Sequence, residues 1–291
     1  MISLLGGLGA ATLWATATLA SSRSIRVIGS SSVVAWVMLV GLGVALPGAL
    51  LDGVPDGLDP PTIAWLVVVA IGNVGGLLLI YAALRTGKVG IVAPIASTEG
   101  ALAAVFAIVL GERIVPGAAL TLAVIAVGIT LAAVHRDNGA GVMPSAADAL
   151  RAADARRAVL LSISAAAVFA CGLYAAGHVS AHLPPIWVVL PPRLLGTAVL
   201  VVPLAATGRL RLTRETVPLV VIAGLGEVLG SMSYAFGARS GVAIAAVVAS
   251  QFAAFAAIAA FLLFRERLQR VQVAGVALIA LGVGILAYLQ A

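Results

Sequence analysis

The sequence consists largely of uninterrupted apolar runs of about 20 residues, separated by short polar or charged segments. A helix needs roughly 20 apolar residues to cross the hydrocarbon core of a bilayer. Of the 291 residues, 62% are hydrophobic and only 10% are charged, and a water-soluble fold could not bury that much apolar surface. The runs therefore predict an all-α integral membrane protein.

We place ten transmembrane helices in the chain. The runs are continuously rich in Ala, Leu, Val and Gly, which favours helices over the alternating strands of a membrane barrel. No Lys or Arg precedes the first run, so we interpret it as a helix and not as a secretory signal. The predicted spans are 2–20, 31–51, 61–83, 88–110, 116–134, 158–177, 185–206, 216–237, 241–264 and 271–289.

The loops after odd-numbered spans carry most of the basic residues, including Arg23 and Arg26 after the first span and Arg209 and Arg211 after the seventh. The positive-inside rule places these loops in the cytoplasm and both termini outside. The net charge of +6 is spread between apolar spans, which argues against nucleic-acid binding. The abundance of Ala and Gly is typical of a GC-rich bacterial source, so we expect a multi-pass protein of the inner membrane.

A polar link divides the ten spans into two sets of five. We predict a first five-helix repeat over 1–134, a cytoplasmic linker over 135–157 and a second repeat over 158–291. Five is an odd number, so two copies in one chain must be inverted, as in many secondary transporters with a midplane site. The recurring segments are Tyr81-Ala82 with Tyr234-Ala235, Ile95-Ala96-Ser97 with Val248-Ala249-Ser250, and Glu112-Arg113 with Glu266-Arg267.

Three ionisable residues fall inside the predicted spans: Glu99, Arg193 and Glu227. A charge at bilayer depth needs a partner or water and is a candidate functional group. Either glutamate could exchange a proton for a solute, or form a static ion pair with Arg193. Arg193 follows Pro191-Pro192, which we expect to disturb the helix, and it could bind an anionic group or serve as a counter-ion.

Further polar residues of the spans are candidates for the lining of a shared cavity. Ser and Thr in membrane helices also bond to their own backbone, and tyrosines near helix ends also lie at the membrane interface. These candidates are Asn73, Ser97, Thr98, Ser250 and Gln251, with Tyr81 and Tyr234 as possible gates.

Other motifs favour a structural interpretation. His178 and His182 are four residues apart without an apparent third ligand, so we expect no metal site. The glycine pairs Gly72/Gly76 and Gly226/Gly230 indicate close helix packing, and we expect the lone Cys171 to be buried as a packing residue. No phosphate loop or nucleophile-base arrangement occurs, so we expect neither an enzyme nor a cofactor.

Both halves carry a small-residue helix leading to Gly111-Glu112-Arg113 or Arg265-Glu266-Arg267-Leu268, with Gly275 after the second motif. In these motifs the chain resembles the EamA-type branch of the drug/metabolite transporter superfamily. Trp14 and Arg193 also lie where this family often has Trp and Arg. The resemblance implies ten helices in two inverted repeats that move metabolites or drugs by alternating access.

The sequence thus predicts a secondary active transporter for a small organic molecule. We expect export driven by protons, with import as the weaker alternative. Two other functions are compatible with the sequence: a flippase for a lipid-linked substrate, and a membrane scaffold or sensor that moves nothing.

Overall fold

The computed structural model describes residues 1–87, 92, 95–112, 117–133, 146–252 and 254–256, together with single positions between 259 and 285. The predicted tenth span and the Glu266-Arg267 motif lie outside the continuously described residues. The described residues form nine helices: α1 Ile2–Ile28, α2 Ser30–Asp52, α3 Pro60–Thr86, α4 Thr98–Val109, α5 Ala118–Ala133, α6 Ala146–Ser180, α7 Pro185–Ala206, α8 Val217–Ala238 and α9 Val242–Ala249.

Six of these helices are long and apolar enough to cross a membrane, namely α1, α2, α3, α6, α7 and α8. The part of the chain that the structure describes contains no strand. The prediction of an all-helical chain with several membrane spans is confirmed.

Large apolar side chains cover the outer surface of the helices. Leu51 is 90% exposed and Val109 is 76% exposed, with many other Leu, Val and Ile side chains around them. Exposed apolar area of this extent is rare on soluble monomers. The outer surface is therefore suited to contact with lipid.

Several helix boundaries differ from the predicted ones. α1 continues to Ile28, where Gly29 with φ of 82° ends it and leads directly into α2. α6 begins at Ala146, inside the predicted linker, because Ala and Arg in this segment are strong helix formers. α3 begins at Pro60 and is capped by Asp59, whose carboxylate accepts a hydrogen bond of 2.9 Å from the Thr62 N–H.

Two antiparallel helix pairs, α1 with α8 and α3 with α6, hold the two halves of the chain together. In each pair, glycines meet glycines: Gly6 faces Gly237, and Gly72 faces Gly172. A Cβ added at either Gly6 or Gly72 would lie 2.5 Å from the Cα of the facing glycine. Backbones can approach this closely only where side chains are absent.

The four glycines singled out in the sequence belong to the same two contacts. Gly76 packs against the Phe169 ring of α6, and Gly226 and Gly230 pack against α1 next to Ala17 and Trp14. Their function in packing is thus the predicted one. The first helix of each predicted repeat packs on the third helix of the other repeat.

Helices α4 and α9 cross each other, and both are interrupted near the crossing. The α-helical pattern stops at Ser97, just before α4, and at Ser250 and Gln251, just after α9. Gly100 lies directly against Ser250, so a side chain there would collide with it. The interruptions lie at the two segments that recur between the halves of the sequence, Ile95-Ala96-Ser97 and Val248-Ala249-Ser250.

Side chains satisfy the carbonyl groups that these interruptions leave free. The Thr98 hydroxyl donates a hydrogen bond of 2.7 Å to the carbonyl oxygen of Ile95. The Ser250 hydroxyl and the Gln251 amide each donate a bond of 2.8 Å to the carbonyl oxygen of Val247. These three residues shape the breaks in the helices.

Two further expectations are corrected. The backbone remains α-helical through Pro191 and Pro192, and the irregularity is a π-helical segment at Thr197–Val201. Both prolines lie inside α7, so each removes one i→i−4 hydrogen bond, but the helix continues to the π-helical segment. Cys171 is exposed and not buried, because it is turned about 100° around α6 from Gly172, which packs on α3.

Candidate functional site

A mostly apolar cavity lies between the two halves of the chain. It measures about 870 Å³ when the space at its opening is included. Concave apolar sites with a few polar groups are typical of small-molecule binding. Its walls come from α1, α3, α4, α6, α7 and α8, and its polar and aromatic lining residues are Trp14, Thr18, Asn73, Tyr81, Glu99, Phe169, Arg193, Glu227, Ser231, Tyr234 and Phe252.

Arg193 is fully buried, and its guanidinium group is held by residues of α3 and α8. Nη1 donates a hydrogen bond of 3.0 Å to Asn73 Oδ1, and Nη2 lies 3.7 Å from Glu227 Oε1. Nη2 also donates a bond of 3.4 Å to the Ser231 hydroxyl. Asn73 Nδ2 in turn donates a bond of 3.0 Å to Glu227 Oε1, which closes a ring of three residues.

The small size of Gly41 on α2 leaves the room that the Arg193 side chain needs. A Cβ at Gly41 would lie 2.8 Å from Arg193 Cδ. On the same helix, Met38 Sδ accepts a hydrogen bond of 3.5 Å from Nη1. Arg193 is therefore a counter-ion for Glu227, which is one of the two alternatives left open by the sequence.

Glu99 has a different environment from Glu227, although both line the cavity. Glu99 is 5% exposed and Glu227 is 7% exposed. No residue in the described part of the chain forms a hydrogen bond or an ion pair with the Glu99 carboxyl group. A buried carboxylate without a partner is costly, and binding a proton or a cation removes that cost.

The two predicted gate tyrosines are buried in the cavity wall. The Tyr81 hydroxyl lies 2.7 Å from the Ser21 hydroxyl of α1. The Tyr234 hydroxyl donates a bond of 2.7 Å to the carbonyl oxygen of Leu173 in α6. Each tyrosine thus connects the third helix of its predicted repeat to the first.

Four of the predicted lining residues do not line this cavity. Ser97 and Ser250 are fully buried, and Thr98 and Gln251 lie beside them at the interruptions of α4 and α9. Their neighbours Glu99 and Phe252 face the cavity instead. Asn73, Glu99, Arg193, Glu227 and the two tyrosines are brought together.

Ser231 and Trp14 complete the site and were not among the predicted site residues. Ser231 lies one helical turn after Glu227. Residues four apart share one face of a helix, so this spacing could have predicted that Ser231 lies beside Glu227 in the site. The Trp14 ring lies 6.2 Å from the Tyr234 ring, centroid to centroid. The Trp14 indole N–H and the Arg193 Nε–H lack an acceptor among the described residues.

Glu112 of the Gly-Glu-Arg motif caps a helix of the other half. Its two carboxyl oxygens lie 3.3 and 3.2 Å from the Ala243 N–H, which donates to them at the start of α9. Partial burial raises the pKa of this carboxyl group, and the hydrogen bonds from the α9 backbone oppose that rise. Glu112 thus has the geometry of a helix cap in the described structure.

Nothing in the described residues groups three His, Cys, Asp or Glu side chains as a metal site would require. His178 instead packs against the Trp65 ring, with 4.9 Å between the ring centroids.

Comparison with known proteins identifies the family. A search of curated proteins found no significant match. The chain resembles a protein of known crystal structure over 99% of its own length and 96% of the other chain, with a TM-score of 0.77 at 18% identity, which shows the fold. The profile of the EamA-like transporter family matches residues 1–134 and 156–288. The chain therefore belongs to the EamA-like transporter family and is a multi-pass membrane protein of a family that transports small substrates.

Proposed function

We propose that this protein is a secondary active exporter of a small organic solute, driven by protons across the bacterial inner membrane. In this proposal ten helices form two inverted five-helix repeats, with both termini outside. The repeats alternate the access of the central cavity, and Glu99 binds either a proton or the solute.

The observation that carries the proposal is the difference between the two buried glutamates. Arg193 and Asn73 already neutralise and orient Glu227. Glu99 lines the same cavity without a partner among the described residues. A group that can accept either a proton or a solute, but not both, exchanges one for the other. With protons flowing inward, such an exchange moves the solute outward.

The arrangement of the helices supports alternating access. The pairs α1/α8 and α3/α6 are related as an inverted repeat would require, since each joins the first helix of one half to the third of the other. The interruptions at Ser97 and Ser250 are also at equivalent places, and interrupted helices at midplane sites are common in secondary transporters. Glu99 lies two residues after the interruption at Ser97.

We would test the function in proteoliposomes that contain a pH-sensitive dye and hold a proton gradient. A panel of amines, carboxylates, amino acids, sugars and nucleosides is added, and protein-free vesicles correct for passive leak. At least one compound is expected to drive proton movement in the wild type. Glu99→Gln should reduce this movement to the protein-free rate, because the amide cannot release a proton.

Glu215→Gln is the matched control, since Glu215 is an exposed carboxyl group between α7 and α8. It should behave as the wild type does. Equal proton movement in Glu99→Gln would contradict the coupling function of Glu99. If no compound drives proton movement in the wild type, the result would instead favour the scaffold. If, in addition, a lipid-linked probe crosses the membrane, it would favour the flippase.

A further inference from the structure

We propose that the exported solute carries a protonated amine beside an apolar or aromatic body, and that the Glu99 carboxylate binds the amine. This inference rests on the proposed function, because it takes the central cavity to be the solute site.

The charges around the cavity set its preference. Its three ionic side chains are Arg193, Glu227 and Glu99. The first two neutralise each other, and the guanidinium group is further engaged by Asn73, Ser231 and Met38. With Glu99 ionised, the described lining of the cavity has a net charge of −1 and one carboxylate that has no partner among the described residues. Such a site attracts a cation, and a carboxylate solute would have to displace Glu227 from Arg193.

The remaining wall favours an apolar body over a hydroxylated one. Aromatic rings make up much of it, and an ammonium group is attracted to the faces of such rings. The Tyr81 and Tyr234 hydroxyls already have partners in Ser21 and Leu173. The Trp14 indole N–H and the Arg193 Nε–H lack an acceptor among the described residues, but two donors cannot replace the water bonds of the several hydroxyls of a sugar. The rings are those of Trp14, Tyr81, Phe169, Tyr234 and Phe252.

Three probes with the same phenylethyl skeleton test this selectivity: 2-phenylethylamine, 2-phenylethanol and 3-phenylpropanoate. The purified protein is titrated with each probe, and the thermal midpoint gives the dissociation constant, because a ligand of the native state raises that midpoint. The amine is expected to bind at least about tenfold more tightly than either other probe, as hydrogen bonds to charged groups are the strong ones. Glu99→Gln should remove this preference, and Glu215→Gln should keep it.

The ranking of the probes on the wild type decides the inference even if Glu99→Gln does not fold. Tighter binding of the acid or the alcohol overturns it, as does the absence of an amine-induced shift. An amine preference that survives in folded Glu99→Gln also overturns it. Amine binding without proton exchange in vesicles would contradict the proposed function and not the charge preference. Proton exchange driven only by carboxylates or sugars would contradict the charge preference and not the proposed function.

Discussion

Replacing Arg193 with Met is expected to lower the free energy of unfolding by about 3–5 kcal/mol. The substitution keeps an unbranched side chain but removes the charge that neutralises Glu227. Among the described residues, the Glu227 carboxylate would then keep only the hydrogen bond from Asn73. Unfolding in mixed micelles, titrated with a denaturing detergent, measures the change.

The double variant Arg193→Met with Glu227→Gln provides the sharpest comparison. It removes both charges, so it should recover a large part of the lost stability, because no buried charge is left unpaired. Arg209→Met is the matched control, since Arg209 is exposed and a surface change of this kind costs within about 0.5 kcal/mol. A single variant as stable as this control, or a double variant no better than the single one, would show that the ion pair is unimportant.

Substituting Ala for Gly6 or Gly72 is expected to destabilise the fold by about 1–3 kcal/mol in each case. The added Cβ would lie 2.5 Å from the Cα of Gly237 or Gly172, so two backbones must separate. The two substitutions affect different helix pairs, α1/α8 and α3/α6. Similar losses are expected because the two contacts have the same geometry. The same denaturing titration measures both losses.

Gly43→Ala is the control for these glycines. Gly43 lies within α2, and a Cβ there would meet nothing within 4 Å. Since Ala is a better helix former than Gly, this variant should be as stable as the wild type or slightly more stable. If Gly72→Ala matched Gly43→Ala, the close contact between α3 and α6 would not contribute to stability.

Hydrophobic length alone was sufficient to predict helices and the approximate positions of the six long spans, since a bilayer leaves few alternatives. The position of α6 was less accurate, because its first turns are polar and rich in Ala. In that segment, helix propensity is a better guide than hydropathy. The π-helical segment at Thr197–Val201 has no signal of this kind in the sequence.

The ionisable residues of the cavity were recognised from burial cost alone, because a charge within an apolar run is rare. Which glutamate pairs with Arg193 could not be read from the sequence. That pairing depends on α7 lying beside α8 and α3, which is a tertiary feature. For the same reason, Thr98 and Gln251 were taken for lining residues, although in the structure they bond to nearby backbone carbonyls.

The measurement that tests alternating access most directly is labelling of a single cysteine in the cavity from each side of the membrane. Thr18 lines the cavity, so Thr18→Cys in a Cys171→Ser background places one thiol there. A membrane-impermeant reagent should label this thiol in both right-side-out and inside-out vesicles. Thr207→Cys, at the exposed end of α7, should be labelled from one side only. Labelling of Thr18→Cys from one side only, or from neither, would contradict a cavity that opens in turn to both faces.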